Sequence, residues 1–181
     1  MPMPPPTNVS IPVVETERLV LRGHRLDDYE ACAAMWGDPE VVRHIGGRPF
    51  GPSECWMRLM RYVGHWSLLG YGLWAVEEKA TGRFVGEVGF FDYRREIDPP
   101  LEAPEMGWVL APWSHGRGYA SEAVRAARAW ALGYFGPIET VCIINPDNAP
   151  SLRIAEKFGF RETARTTLGA DPVILFSSAL G

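Results

Sequence analysis

Three groups of residues in this 181-residue chain have types and spacings that could do chemistry. The first is Gly116-Arg117-Gly118. It follows the short apolar run 105–110 and leads into an alanine-rich helical pattern. A strand that passes through Gly-x-Gly into a helix can hold an anion. The first N–H groups of a helix have no partner inside it, and the helix dipole adds partial positive charge there. Glycines let a phosphate approach the backbone closely, and Arg117 adds a mobile cation. A tight turn without a ligand is written with the same letters, so this feature alone leaves both open. A P-loop is excluded, because no Gly-Lys-Ser/Thr ending follows. A dinucleotide-binding turn is disfavoured: counted from Gly116, its third small position holds Ser121.

The second group is Asn148 and Ser151, which open a helix that Gly159 closes. Asn148 serves as an N-cap in the plainest reading, and Ser151 as a first-turn residue that bonds the backbone. A hydroxyl at Ser151 could also donate a proton. The third group is the strand acids Glu105 and Glu87. A carboxylate can take a proton from an attacking ammonium, directly or through water. Either could instead be a solvated or ion-paired strand residue. Cys32, Cys55 and Cys142 are spread without a disulfide or zinc pattern. His24, His44, His65 and His115 form no pair at metal spacing, so no metal site is expected.

The elements that must position these groups read as follows. A strand is expected over 17–22, then a helix over 27–36 and a Gly/Pro-rich loop over 37–52. Ser53 caps a second helix, whose buried face is Trp56, Leu59, Met60 and Val63. A hairpin follows, 72–78 and 84–91 around the turn 80–82. A loop over 92–103 precedes the strand 105–110. The helix over 119–135 packs through Ala120, Ala123, Val124, Ala127 and Ala131. A strand over 139–144, a helix from Asn148 to Gly159, and strands over 161–167 and 172–176 complete the chain. The hairpin-rich first half and strand-helix-strand second half give an α/β fold with a mixed, mostly antiparallel sheet flanked by helices. The connection from 105–110 to 139–144 should be parallel and right-handed. Residues 1–12, with five prolines, read as a disordered leader before a single domain over 13–181.

The ordered set of motifs resembles the GCN5-related N-acetyltransferase (GNAT) family, closest to the branch of ribosomal-protein alanine acetyltransferases. The resemblance runs through Thr16–Arg22, Gly86–Phe90 and Glu105–Leu110. It is sharpest in His115-Gly116-Arg117-Gly118-Tyr119-Ala120-Ser121-Glu122-Ala123, and ends with Asn148-x-x-Ser151 and Lys157-Phe158-Gly159-Phe160. It implies an acyl-CoA N-acyltransferase fold, with acetyl-CoA as cosubstrate and no metal. The strands ending at Leu110 and near Ile144 would splay apart. Backbone groups of Trp108, Val109 and Leu110 would meet the pantetheine arm. His115 and the turn from Gly116 through Arg117, Gly118, Tyr119 and Ala120 to Ser121 would hold the pyrophosphate. Asn148 and Ser151 would face the thioester, with Glu105, Ser151 and Asn148 as the catalytic set and Glu87 as the second candidate base. The chain departs from the family pattern at Trp113, where Gln or Arg is usual, and at Ala155, where many members place a tyrosine acid.

The expected reaction is direct attack of a primary amine on acetyl-CoA in a ternary complex. The amine is a small molecule or a protein N-terminus. The alternative is an inactive acyl-CoA-binding sensor of the same fold. The formal charge of −4 supplies no basic field for nucleic acid or anionic lipid. No apolar run is long enough to cross a membrane. A cytoplasmic protein is expected, and a homodimer is compatible with the sequence.

Overall fold

The computed structural model describes residues 10–181. The elements run β1 (Val14–Glu15), β2 (Leu19–Arg22), a 3₁₀ turn at Leu26–Asp28, α1 (Tyr29–Trp36), α2 (Pro39–Val42), α3 (Pro52–Leu69), β3 (Leu73–Glu78), β4 (Phe84–Phe91) and β5 (Glu105–Leu110). After a 3₁₀ turn at Pro112–Ser114 come α4 (Tyr119–Phe135), β6 (Glu139–Ile144), α5 (Ala149–Lys157), β7 (Arg161–Leu168) and β8 (Asp171–Ala179). The strands form one sheet in the order β1-β2-β3-β4-β5-β6-β8-β7. Every neighbouring pair is antiparallel except β5 and β6, which are parallel. This is the mixed, mostly antiparallel sheet expected from the element order.

Strand alternation sorts the side chains onto two faces. On one face α4 lays Ala123, Val124, Ala127 and Ala131 against Val76, Val88, Phe90 and Met106. Small residues on this helix let its backbone lie close to the strands. On the other face α1 and α3 bring Cys32, Met35, Trp36 and Leu59 over Ala75, Phe84 and Ala111. Glu87 is in register with Ala75 on β3 and Val109 on β5. Its side chain therefore points to the α1–α3 face, into an otherwise apolar layer.

Several boundaries differ from the sequence reading. Thr16 closes a turn with Leu19, its hydroxyl accepting the Leu19 N–H at 2.9 Å, so the strand expected over 17–22 begins at Leu19 and β1 is separate. The loop 37–52 contains α2, capped by Asp38, whose carboxylate accepts the Glu40 N–H at 2.8 Å. Ser53 is not the cap of α3. That helix starts at Pro52, and the Glu54 carboxylate accepts the Gly51 N–H at 2.9 Å. Of the expected leader 1–12, residues 1–9 lie outside the described residues. Ile11 packs against the core, and the Pro12 carbonyl accepts Trp74 Nε1–H at 2.8 Å. Among the described residues no helix is long and apolar enough to cross a membrane.

The buried face of α3 also needs correction. It is Cys55, Leu59, Tyr62 and Trp66, whereas Trp56, Met60 and Val63 are partly exposed at 44%, 36% and 39%. Both sets contain Leu59 and both obey helical spacing, because α3 carries apolar residues around much of its circumference. Polar anchoring breaks the tie. Tyr62 donates to Glu87, and Trp66 Nε1–H donates to the Leu73 carbonyl at 3.0 Å while its ring packs on Trp74 and Trp130. Trp66→Ala should therefore cost about 3–5 kcal/mol in urea unfolding. Trp56→Ala should stay below about 1 kcal/mol. The reverse ranking would restore the face read from periodicity.

Candidate functional site

β5 and β6 meet at a single register, Glu105 opposite Val141, where the Val141 N–H donates to the Pro104 carbonyl at 3.1 Å. Beyond that point the strands part. β6 is held along its length by β8, from Glu139 opposite Ala179 to Ile144 opposite Ile174. β5 is held by β4, from Glu105 opposite Phe91 to Leu110 opposite Gly86. Each strand follows its outer partner, so a wedge opens between them. The β6-facing edge of β5 from Met106 onward has no strand partner among the described residues.

The wedge separates two cavities. One, of about 260 Å³, is lined by Trp36, Arg58, Tyr62, Glu87 and Glu105. The other, of about 660 Å³, lies over the Gly-rich turn and α5. Trp108, Val109, Asn148 and Ser151 line both. Leu110, His115, Gly116, Gly118, Tyr119, Ala120 and Ser121 line the second. Arg117 is exposed beside it, and of these two cavities Glu105 lines the first alone.

Gly116 and Gly118 sit at φ +73° and +79°, the left-handed region that a Cβ disfavours. Among the described residues, no backbone N–H from Gly116 to Ala120 donates to a backbone carbonyl outside α4. The turn is clamped from outside. Arg18 donates to the Arg117 carbonyl at 2.9 Å and pairs with Glu122 at 2.6 Å. The Tyr119 hydroxyl donates to Glu78 at 2.5 Å. His115 Nε2 lies 3.0 Å from the Leu110 carbonyl, so the end of β5 is tied to the turn. Lys157, which the sequence reading quoted only as part of the closing motif, donates to Ser121 at 3.0 Å and brings a cation to the start of α4. Asn148 caps α5, its Oδ1 accepting the Ser151 N–H at 3.2 Å.

The two acids occupy different settings. Glu105 is buried, and both of its oxygens accept from Arg95, at 2.6 and 3.0 Å. Burial pushes its carboxyl up, and the Arg95 pair offsets this in part. Glu87 Oε2 accepts from Tyr62 at 2.7 Å and from Trp36 at 3.2 Å. Its Oε1 has no hydrogen-bond partner among the described residues, and His24 Nε2 stands 3.6 Å away, too far for a good bond. The Cys32 thiol beside them is held well above its ordinary value, by burial and then by the Glu87 charge, and is neutral. Glu87 faces Val109 directly across the β4–β5 pair, whereas Glu105 is four residues farther along β5, about 14 Å at strand rise. Both acids line the smaller cavity, from different ends of this stretch of β5. The contacts of Glu87 with Tyr62, Trp36 and His24 had no signal in the sequence beyond the odd placement of an acid amid apolar strand residues.

Residues 18–161 match the model of an acetyltransferase (GNAT) domain. The chain is 32% identical over 172 residues to YkkB of Bacillus subtilis, covering 89% of this chain and 92% of that one. It is 27% identical over 148 residues to p20 of Bacillus licheniformis, named as an N-acetyltransferase, covering 81% of each. The solved structure of an acetyltransferase from Agrobacterium tumefaciens superposes with a TM-score of 0.80 at 27% identity, over 93% of this chain and 95% of that one.

The raised Glu105 carboxyl carries a stability signature. A group that holds its proton more tightly when folded contributes stability below its unfolded pKa of about 4.3, and this is lost as pH rises through the folded value. Glu105→Gln removes that loss. Urea midpoints measured from about pH 4 to pH 8 should show wild type losing ground to Glu105→Gln as pH rises. A wild type that gains on the variant with rising pH would mean that Arg95 dominates and the carboxyl is lowered.

Proposed function

Because the chain belongs to the GNAT acetyltransferase family, a fold that binds acetyl-CoA or coenzyme A, we propose that it moves the acetyl group of acetyl-CoA to a primary amine by direct attack in a ternary complex. The observation that carries this reading is the wedge beyond the Glu105–Val141 pair, opening onto the unpaired N–H groups of Gly116–Ala120. A pantetheine arm is amide-bearing and extended, and it can bond an open strand edge as a further strand would. Val109 and its neighbours Trp108 and Leu110 supply that edge. The pyrophosphate is placed on the turn, where the α4 dipole, Arg117 and Lys157 oppose its charge.

The acceptor enters from the smaller cavity. An ammonium must lose a proton before it can attack, and Glu87 is the acid we favour. It lies across from Val109, where the thioester is placed, and its Oε1 is uncommitted. Glu105, the first choice from sequence, has both oxygens occupied by Arg95 and is assigned a positioning role at the closed end of the wedge. A backbone N–H of the open β5 edge would bond the tetrahedral oxyanion. Ser151, which lines both cavities, would protonate the departing thiolate directly or through water. Asn148 orients it through the α5 cap. Ala155 is fully buried and leaves this task without a tyrosine at its position.

Thiol release on mixing the protein with acetyl-CoA and a panel of amines tests the reading. Binding of acetyl-CoA with no turnover on any amine would make the chain an acyl-CoA sensor instead. Gly118→Val should weaken acetyl-CoA binding at least about tenfold by calorimetry. An added Cβ meets no atom closer than 3.5 Å, so the strain of the left-handed backbone at φ +79° is the effect expected. Glu87→Gln should lower turnover about 10²-fold with acetyl-CoA affinity within about twofold, the range for loss of a general base. If Glu105→Gln shows that pattern and Glu87→Gln does not, the roles of the two acids are reversed.

A further inference from the structure

Two of the arginines that line the smaller cavity make no ion pair with a carboxylate among the described residues. Three arginines line it: Arg58, Arg61 and Arg95. Arg95 is committed to Glu105. Arg58 lies flat on an aromatic face, its Cζ 3.7 Å from the centre of the Trp36 ring and 4.6 Å from that of Phe50. Of its five N–H donors, only one makes a hydrogen bond among the described residues, to the Tyr62 hydroxyl at 3.2 Å. Arg61 stacks on Tyr93, with Cζ 4.1 Å from the ring centre. Among the described residues its guanidinium makes no hydrogen bond, and neither it nor Arg58 pairs with a carboxylate. The remaining acid of the cavity lining, Asp171, is exposed at the start of β8.

A stacked guanidinium has its flat face covered and its donor edge free, the arrangement that accepts a carboxylate with two parallel bonds. The distance to the proposed base is short. One hydroxyl, that of Tyr62, bridges Arg58 Nη1 and Glu87 Oε2. We propose that the acceptor is a small aminocarboxylate, its carboxylate held by Arg58 and Arg61 and its amine presented to Glu87. This rests on the acyl-transfer reading above. The two contacts through the Tyr62 hydroxyl, 3.2 and 2.7 Å, keep Arg58 and Glu87 close, so we assign an acceptor whose amine and carboxylate are separated by one or two carbons. The cavity of about 260 Å³ also has to admit the thioester end of the donor, which leaves room only for a compact acceptor. A plain alkylammonium would meet two guanidinium charges with no anion of its own, so the same residues select against it.

The test reads binding and needs no turnover. The common α-amino acids and β-alanine, each beside its decarboxylated amine, are titrated by calorimetry into protein saturated with coenzyme A. The expected result is at least one acid that binds about tenfold or more tightly than its amine, a difference of about 1.4 kcal/mol. In Arg61→Ala that preference should fall below about threefold, as the carboxylate loses one of its two cations. Arg61 is exposed and its loss should leave the fold intact, which circular dichroism checks. Arg58→Gln, which also loses the Trp36 stack, is the second variant. Amines that bind as well as their acids across the panel overturn the proposal, as does a preference that survives in both variants. Binding by tripeptides with an acidic second residue, with none by free amino acids, also overturns it. If coenzyme A itself does not bind, the acyl-transfer reading falls, and the same titrations into the free protein still decide the anion site.

Discussion

The structure depends on the fact that β5 and β6 can pair at only one register. Each is the inner partner of a firmly paired strand, β4 on one side and β8 on the other. Twist carries those pairs apart, and a parallel neighbour without a covalent turn cannot pull them back. An unsatisfied strand edge beside water is tolerable, but beside apolar walls it demands a partner. The wedge is therefore a consequence of the sheet order, and it leaves an open strand edge of the kind an extended, amide-bearing chain can pair with.

The other parts of the site are arranged around that edge. α4 must begin where β5 ends, and the Pro112–Ser114 turn and the His115 bond to the Leu110 carbonyl fix that distance. Arg18, just before β2, holds the turn at the Arg117 carbonyl and leaves the N–H groups free. On the α1–α3 face, a buried carboxylate in an apolar layer is costly unless hydrogen bonds compensate it. Tyr62 and Trp36 supply them to one oxygen of Glu87 and leave the other uncompensated.

Much of this was legible from residues alone. The limits of β4, β5, α4 and β6 follow from Gly, Pro and apolar patterning, and the structure reproduces them at 84–91, 105–110, 119–135 and 139–144. The Gly116–Gly118 turn and the Asn148 cap were visible because backbone conformation and capping are local. What stayed hidden is non-local. The rotation of α3 about its axis depends on Tyr62 and Trp66 finding partners on β3 and β4, and periodicity around Leu59 fits either face. Glu105 was placed as a base because it begins the strand bordering the gap; its pairing with Arg95, ten residues earlier in a loop without regular structure, could not be read from the sequence. Glu87 gained its setting from His24, Trp36 and Tyr62, which no short motif links to it.

Amide hydrogen exchange, followed by mass spectrometry with and without coenzyme A, tests the role of the wedge most directly. An arm seated along β5 predicts slowed exchange in peptides spanning Trp108–Leu110 and Gly116–Ala120, with the outer strands β1, β2 and β7 unchanged. Protection confined to other segments, or none at saturating coenzyme A, would contradict it.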